Sequence, residues 1–181
     1  MNKPEYLIVH HTGGIDSDPL ADTSHHTFEM VNAWHKHLWN FRSTLGYYIG
    51  YHYFIDKEGK VTQGRADNEE GAHCIGKNRS SIGICLAGNF DATDPTEKQV
   101  KSITGLLKKL SKVHGIEQNK IVPHRTFANK TCYGNRLPDG WAASLVTDGV
   151  EPPQKTPLSE YTVAELFAEL RRRIAEMRRG K

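Results

Sequence analysis

Long apolar runs are missing from this 181-residue chain. No stretch approaches the ~20 residues that a membrane-spanning helix needs, so no transmembrane segment is expected. The N-terminal MNKPEYLIVHH holds only a short apolar run that ends at once in histidines. It does not read as a secretory signal, and the chain is expected to stay in the cytoplasm where it is made. Cysteine is scarce. Cys74, Cys85 and Cys132 are odd in number and far apart, which argues against a disulfide framework and for reduced thiols, one of them a candidate metal ligand. Charge of one sign is scarce too: 24 Lys and Arg against 21 Asp and Glu leave a net +3. That excess is too small to imply nucleic acid but suits an anionic polymer as partner. There are no internal repeats, and the length fits one domain with a core that needs no staples. Histidine, by contrast, is plentiful, with ten.

The apolar pattern alternates strands with helices, an α/β organisation. Tyr6 to Val9 reads as a buried strand ending at His10-His11, and Thr12-Gly13-Gly14 breaks it. Phe28, Val31 and Trp34 predict a helix over Thr27 to His37, with His35 and His37 on its solvated side. An aromatic loop runs from Leu38 to Gly50. Tyr51 to Asp56 and Lys60 to Gln63 read as a hairpin about Lys57-Glu58-Gly59. Ser81 to Leu86 is a central strand. Asp94-Pro95-Thr96-Glu97 predicts a helix start capped by Asp94. Val100, Ile103, Leu106, Leu107, Leu110 and Val113 then form its apolar face, and Gly115 is the stop. Ile121-Val122 is a last short strand before Pro123-His124. The chemistry-bearing residues thus sit at strand ends and in the loops that follow, where α/β sheets place their sites.

His124-x7-Cys132 together with His10 is the leading metal pattern. Zinc is well served by neutral imidazoles and a thiolate, and three protein ligands with one open position is the catalytic arrangement. A single thiolate leaves the centre formally about +1, so the metal remains a Lewis acid. Spacing alone leaves open a strand-end histidine and a cysteine that packs as a small hydrophobe. Alternation along a strand allows only one of His10 and His11 to face a metal.

Four separated segments, in order, resemble the type-2 N-acetylmuramoyl-L-alanine amidase family, which includes phage endolysins and peptidoglycan recognition proteins. They are Ile8-Val9-His10-His11-Thr12, then Gly50-Tyr51-His52-Tyr53-Phe54-Ile55 with its Asp56-Lys57-Glu58-Gly59 turn. His73 with Asn78, Ser81-Ile82-Gly83 and Leu86-Ala87-Gly88 is the third, and His124-Arg125 through Lys130-Thr131-Cys132 the fourth. The match covers about residues 6 to 135. It implies a mixed sheet flanked by helices and one Zn²⁺ per chain on His10, His124 and Cys132. It also implies catalytic roles for Tyr51 and Lys130, whose readings from sequence alone are a strand aromatic and a solvated lysine. The substrate implied is bacterial peptidoglycan, cut between N-acetylmuramic acid and L-alanine of the stem peptide. His11, His52, His73, Asn78, Arg79 and Arg125 are the candidate substrate contacts, the arginines toward peptide carboxylates. Trp39, Tyr47 and Tyr48 are candidates to stack on sugar. One departure stands out: Cys132-Tyr133-Gly134 replaces the family's frequent Cys-Pro-Gly.

The catalytic domain is expected to span 1–148. A proline-containing linker follows over 149–160, and a basic amphipathic helix over 161–181, opened by the Thr162–Glu165 capping box. That helix either packs on the domain, pairs with another copy, or binds an anionic envelope surface. The expected protein is a monomeric phage endolysin that reaches the wall after release. The alternatives are a recognition module without catalysis and a cytoplasmic amidase for recycled wall fragments.

Overall fold

The computed structural model describes residues 3–147, so the expected linker and the C-terminal helix lie outside the described residues. Among the described residues, five strands and three α-helices follow one another as β1 (Tyr6–His11), α1 (Phe28–Leu38), β2 (Tyr53–Ile55), β3 (Val61–Gln63), β4 (Ser81–Leu86), α2 (Glu97–His114), β5 (Ile121–Pro123) and α3 (Trp141–Ser144). The sheet order is β3-β2-β4-β1-β5. β1 runs parallel to β4 and β5, β4 parallel to β2, and the edge strand β3 antiparallel to β2. This is the mixed sheet flanked by helices expected from the sequence.

Strand alternation sorts the side chains of the central strands onto two faces. Leu7, Val9, Ile82, Ile84 and Leu86 pack with Ile103, Leu107 and Leu110 of α2 on one face. Phe54, Cys85 and Ala87 pack with Phe28 and Val31 of α1 on the other. Covering both faces explains why β1 and β4 read as unbroken apolar runs rather than alternating ones. Each fully buried leucine or isoleucine in these layers contributes about 1.5–3 kcal/mol.

α2 ends as expected, on Gly115 in the left-handed region at φ 66. Its start is corrected. The cap is Thr96, whose side chain accepts from Gln99 N while the Gln99 side chain reaches back to the Thr96 N–H. Asp94 instead pairs with Arg136 at 2.8 Å. Val113 leaves the apolar face and is 63% exposed. In α1 the buried residues are Phe28, Val31 and His35, and Trp34 is 58% exposed. His35, expected on the solvated side of the helix, is buried instead.

Candidate metal centre

Parallel pairing delivers the first two candidate ligands to one place. Val9 of β1 lies opposite Pro123 of β5, so His10 and His124 leave the sheet side by side at the C-terminal ends of these strands. Their ring centroids are 4.5 Å apart. The chain then loops back, and the Arg125 N–H donates to the Cys132 carbonyl at 2.8 Å. This return brings Cys132 Sγ to 3.7 Å from His10 Nδ1. One atom each of His10, His124 and Cys132 lie within 4.8 Å of one another, a cluster that fits a single metal ion.

The two faces of β1 decide between the adjacent histidines. His11 points to the α2 side, where its Nδ1 accepts from the Phe90 N–H at 2.9 Å. His10 points to the α1 side, beside Tyr51 at 5.1 Å between ring centroids. Hydrogen bonds also fix the His10 tautomer. The Ser81 hydroxyl spends its proton on the Lys77 carbonyl at 2.7 Å, so it can only accept from His73 Nε2. His73 Nδ1 is then an acceptor, and His10 Nε2 donates to it at 3.0 Å. That leaves the lone pair on His10 Nδ1, the nitrogen facing Cys132. Orientation of a ligating imidazole through its outer nitrogen is a recurrent device of metal sites. Glycine makes room for it: a Cβ on Gly83 would stand 2.5 Å from His73 Cγ, inside van der Waals contact.

The electrostatics suit neutral imidazole donors. His10 is held well below the ordinary histidine range, first by burial and then by the neighbouring His73, and His124 is lowered by burial and by Lys130. Burial pushes the Cys132 thiol up to about 12, so its ionisation requires a compensating cation. The donor set is therefore two neutral nitrogens and one thiol that gives up its proton to a divalent ion, which fits zinc.

The cluster forms part of a groove of ≈ 820 Å³ that Tyr51 and Lys130 also line, together with His11, His73 and Asn78. Asn78 Oδ1 accepts from the His73 and Cys74 amides, at 2.9 and 2.8 Å. Three of the expected substrate contacts are elsewhere. His52 is fully buried, its Nδ1 accepting from Gly83 N and its Nε2 donating to the Glu69 carbonyl, so it is a strut between loops. Arg79 forms an exposed pair with Glu70. The Arg125 guanidinium is occupied by backbone carbonyls and Asp139. Of the aromatic loop, Trp39 and Phe41 line the groove. Tyr47 packs edge-on against Phe28, and the Tyr48 ring carries the Lys36 ammonium.

His35 is a groove residue not expected from the sequence. Its Nδ1 accepts from the Gly50 N–H at 2.8 Å, and its ring lies 5.5 Å from that of Tyr51. The signal was present, because Phe28, Val31 and His35 fall at helical spacing i, i+3, i+7. Burial, and then the charge of Arg65, push its pKa down to about 4, whereas the unfolded chain titrates near ~6.5. Between those values only the unfolded state takes the proton. Stability contributed by neutral His35 is therefore full above the upper value, falls as pH drops, and levels off below the lower one. The part of the loss that His35 itself contributes between about pH 7 and about pH 5 is expected to be about 2 kcal/mol. Urea unfolding of the metal-free wild type and of His35→Asn at both values checks it by difference; an equally steep dependence in His35→Asn would refute the assignment.

Comparison with known proteins places the chain. Residues 1–135 match the family described as N-acetylmuramoyl-L-alanine amidase. The chain is 31% identical over 137 residues to peptidoglycan-recognition protein SD of Drosophila melanogaster, covering 74% of this chain and 69% of that protein. It is 32% identical over 123 residues to the endolysin of Enterobacteria phage T3, covering 65% and 76%. Among solved structures, the endolysin LysCS from Clostridium intestinale URNW, an N-acetylmuramoyl-L-alanine amidase, superposes with a TM-score of 0.62 at 27% identity, covering 76% and 79%.

Proposed function

We propose that this chain, which belongs to the N-acetylmuramoyl-L-alanine amidase family, hydrolyses the amide bond between N-acetylmuramic acid and L-alanine in bacterial peptidoglycan. The observation that carries the proposal is the convergence of His10, His124 and Cys132 in a groove that also holds Tyr51 and Lys130. His10, His124 and Cys132 would hold Zn²⁺, which when bound supplies Lewis acidity and lowers the pKa of water toward ~7. Burial pushes the Tyr51 phenol above its ordinary range, so it stays protonated and acts as a donor. The charge of Lys130 is felt at His10, His124 and Cys132. A carbonyl presented in the groove thus meets a phenol O–H and an ammonium, both suited to negative charge developing on its oxygen. His73 contributes by keeping His10 in its ligating tautomer.

The similarity to phage endolysins supports a role in host lysis, with synthesis in the cytoplasm and action at the wall after release. A module that only binds peptidoglycan has no need of a third ligand, so Cys132 favours the enzyme over the binding reading. Mass spectrometry of purified peptidoglycan after digestion is expected to find stem peptides that begin at a free L-alanine amino group. Tight binding without such products would establish the recognition module instead.

A further inference from the structure

We infer that Arg125 is a positioning residue that holds the Cys132 loop in place for metal binding, an inference that rests on the zinc reading above. Arg125 directly follows His124 and sits in the short 3-10 turn His124–Thr126 at the end of β5. Its backbone closes the loop through the Cys132 carbonyl. Its side chain then reaches both flanks of that cysteine. Nη1 donates to the carbonyls of Thr131 at 3.1 Å and Gly134 at 2.9 Å, and Nη2 donates to that of Leu137 at 2.7 Å. Nε donates to Asp139 Oδ1 at 2.5 Å. The guanidinium lies 5.4 Å from the centre of the buried Tyr133 ring, and the side chain is 19% exposed.

The outer part of this loop, Asn129, Lys130 and Thr131, is exposed, while Tyr133 on the far side of Cys132 packs into the core against Trp141. Asp91 secures its outer edge through the Thr131 hydroxyl and the Asn135 amide. The inner edge is held by the buried Tyr133 and by Arg125, whose planar fork offers donors in three fixed directions at once. A lysine ammonium is a point charge on a flexible stem and does not reproduce that geometry. Arg125 therefore ties one ligand, His124, its immediate neighbour, to the position of another, Cys132. The sequence suggests a substrate carboxylate as partner for the same guanidinium, but its donors point into the protein's own backbone.

The test uses the full chain with Arg125→Lys, read in two ways. Zinc affinity, measured by competition with a chromophoric chelator, is expected to fall roughly 10–100-fold, the range for partners that orient ligands. In metal-free protein, alkylation of Cys132 by iodoacetamide, followed by peptide mapping, is expected to be faster than in the wild type. Asp139→Ala removes only the outermost partner, which is 78% exposed, and is expected to change zinc affinity by less than about 3-fold. A purely structural role would lower the melting temperature of the metal-free protein and leave both readings unchanged. Unchanged zinc affinity and alkylation in Arg125→Lys overturn the inference and leave the zinc reading standing. A wild type that takes up no zinc overturns the zinc reading, and the alkylation rates still decide whether Arg125 holds Cys132. If Arg125→Lys does not fold, Arg125→Gln, which keeps a planar donor group, is put through the same two measurements.

Discussion

Cys132→Ala is expected to lose zinc and to cut muramoyl-L-alanine cleavage by ~10³-fold or more, with the fold intact. The substitution leaves His10 and His124 side by side, since parallel pairing of β1 and β5 and not the cysteine brings them together. It removes the one donor of the three that becomes an anion on binding. Two neutral imidazoles hold a divalent ion far less tightly than two imidazoles and a thiolate. Charge stabilisation by a metal worth ~4 kcal/mol converts to ~10³ in rate. Cys74 and Cys85 serve as controls: both are buried and neither belongs to the ligand cluster. Alanine at either is expected to retain one zinc per chain. Metal content by atomic emission and stem-peptide release by mass spectrometry, measured on the same samples, check the pair of effects. A Cys132→Ala protein that keeps both its zinc and its rate would remove the centre from the mechanism.

What the sequence made legible follows from the range of the interactions involved. β4 was read to the residue and α2 to its stop, because an apolar run and a Gly115 C-cap are local signals. The start of α2 was misplaced by two residues for a non-local reason. Asp94 is a good cap by itself, but Arg136, 42 residues on, engages it, and the reciprocal bonds of Thr96 and Gln99 take over the helix end. His10 and His11 illustrate the same boundary within the site. Alternation says that one of them faces the metal, and the side is chosen by which helix covers which face. Trp34 falls at helical spacing with Phe28 and Val31, yet it forms part of the groove and His35 fills the buried position. Arg125 reads as a substrate contact because a guanidinium in a motif segment suggests a carboxylate. Three backbone carbonyls within its reach are a product of the folded loop and leave no mark in the residue order.

Tyr51→Phe tests the remaining half of the mechanism, since it deletes one oxygen and leaves the ring that packs beside His10 and His35. The backbone around it is anchored independently: Gly50 N donates to His35, and His52 N donates to the Gly83 carbonyl. The ring position is therefore expected to survive, and zinc content with it. If the phenol donates to the oxygen on which charge develops, kcat falls by roughly 10²–10³ with little change in KM, as for loss of one preorganised donor. Lys130→Ala removes the second candidate donor from the groove rim, and its expected effect on kcat is of the same order. The double variant separates two arrangements. If both groups stabilise one oxygen, the losses are coupled and the pair costs less than the product of the single effects. Independent, multiplicative losses would mean that they act on different atoms, with Lys130 serving a neighbouring substrate anion. A Tyr51→Phe enzyme with wild-type kcat would return Tyr51 to the packing role that its sequence position alone suggests.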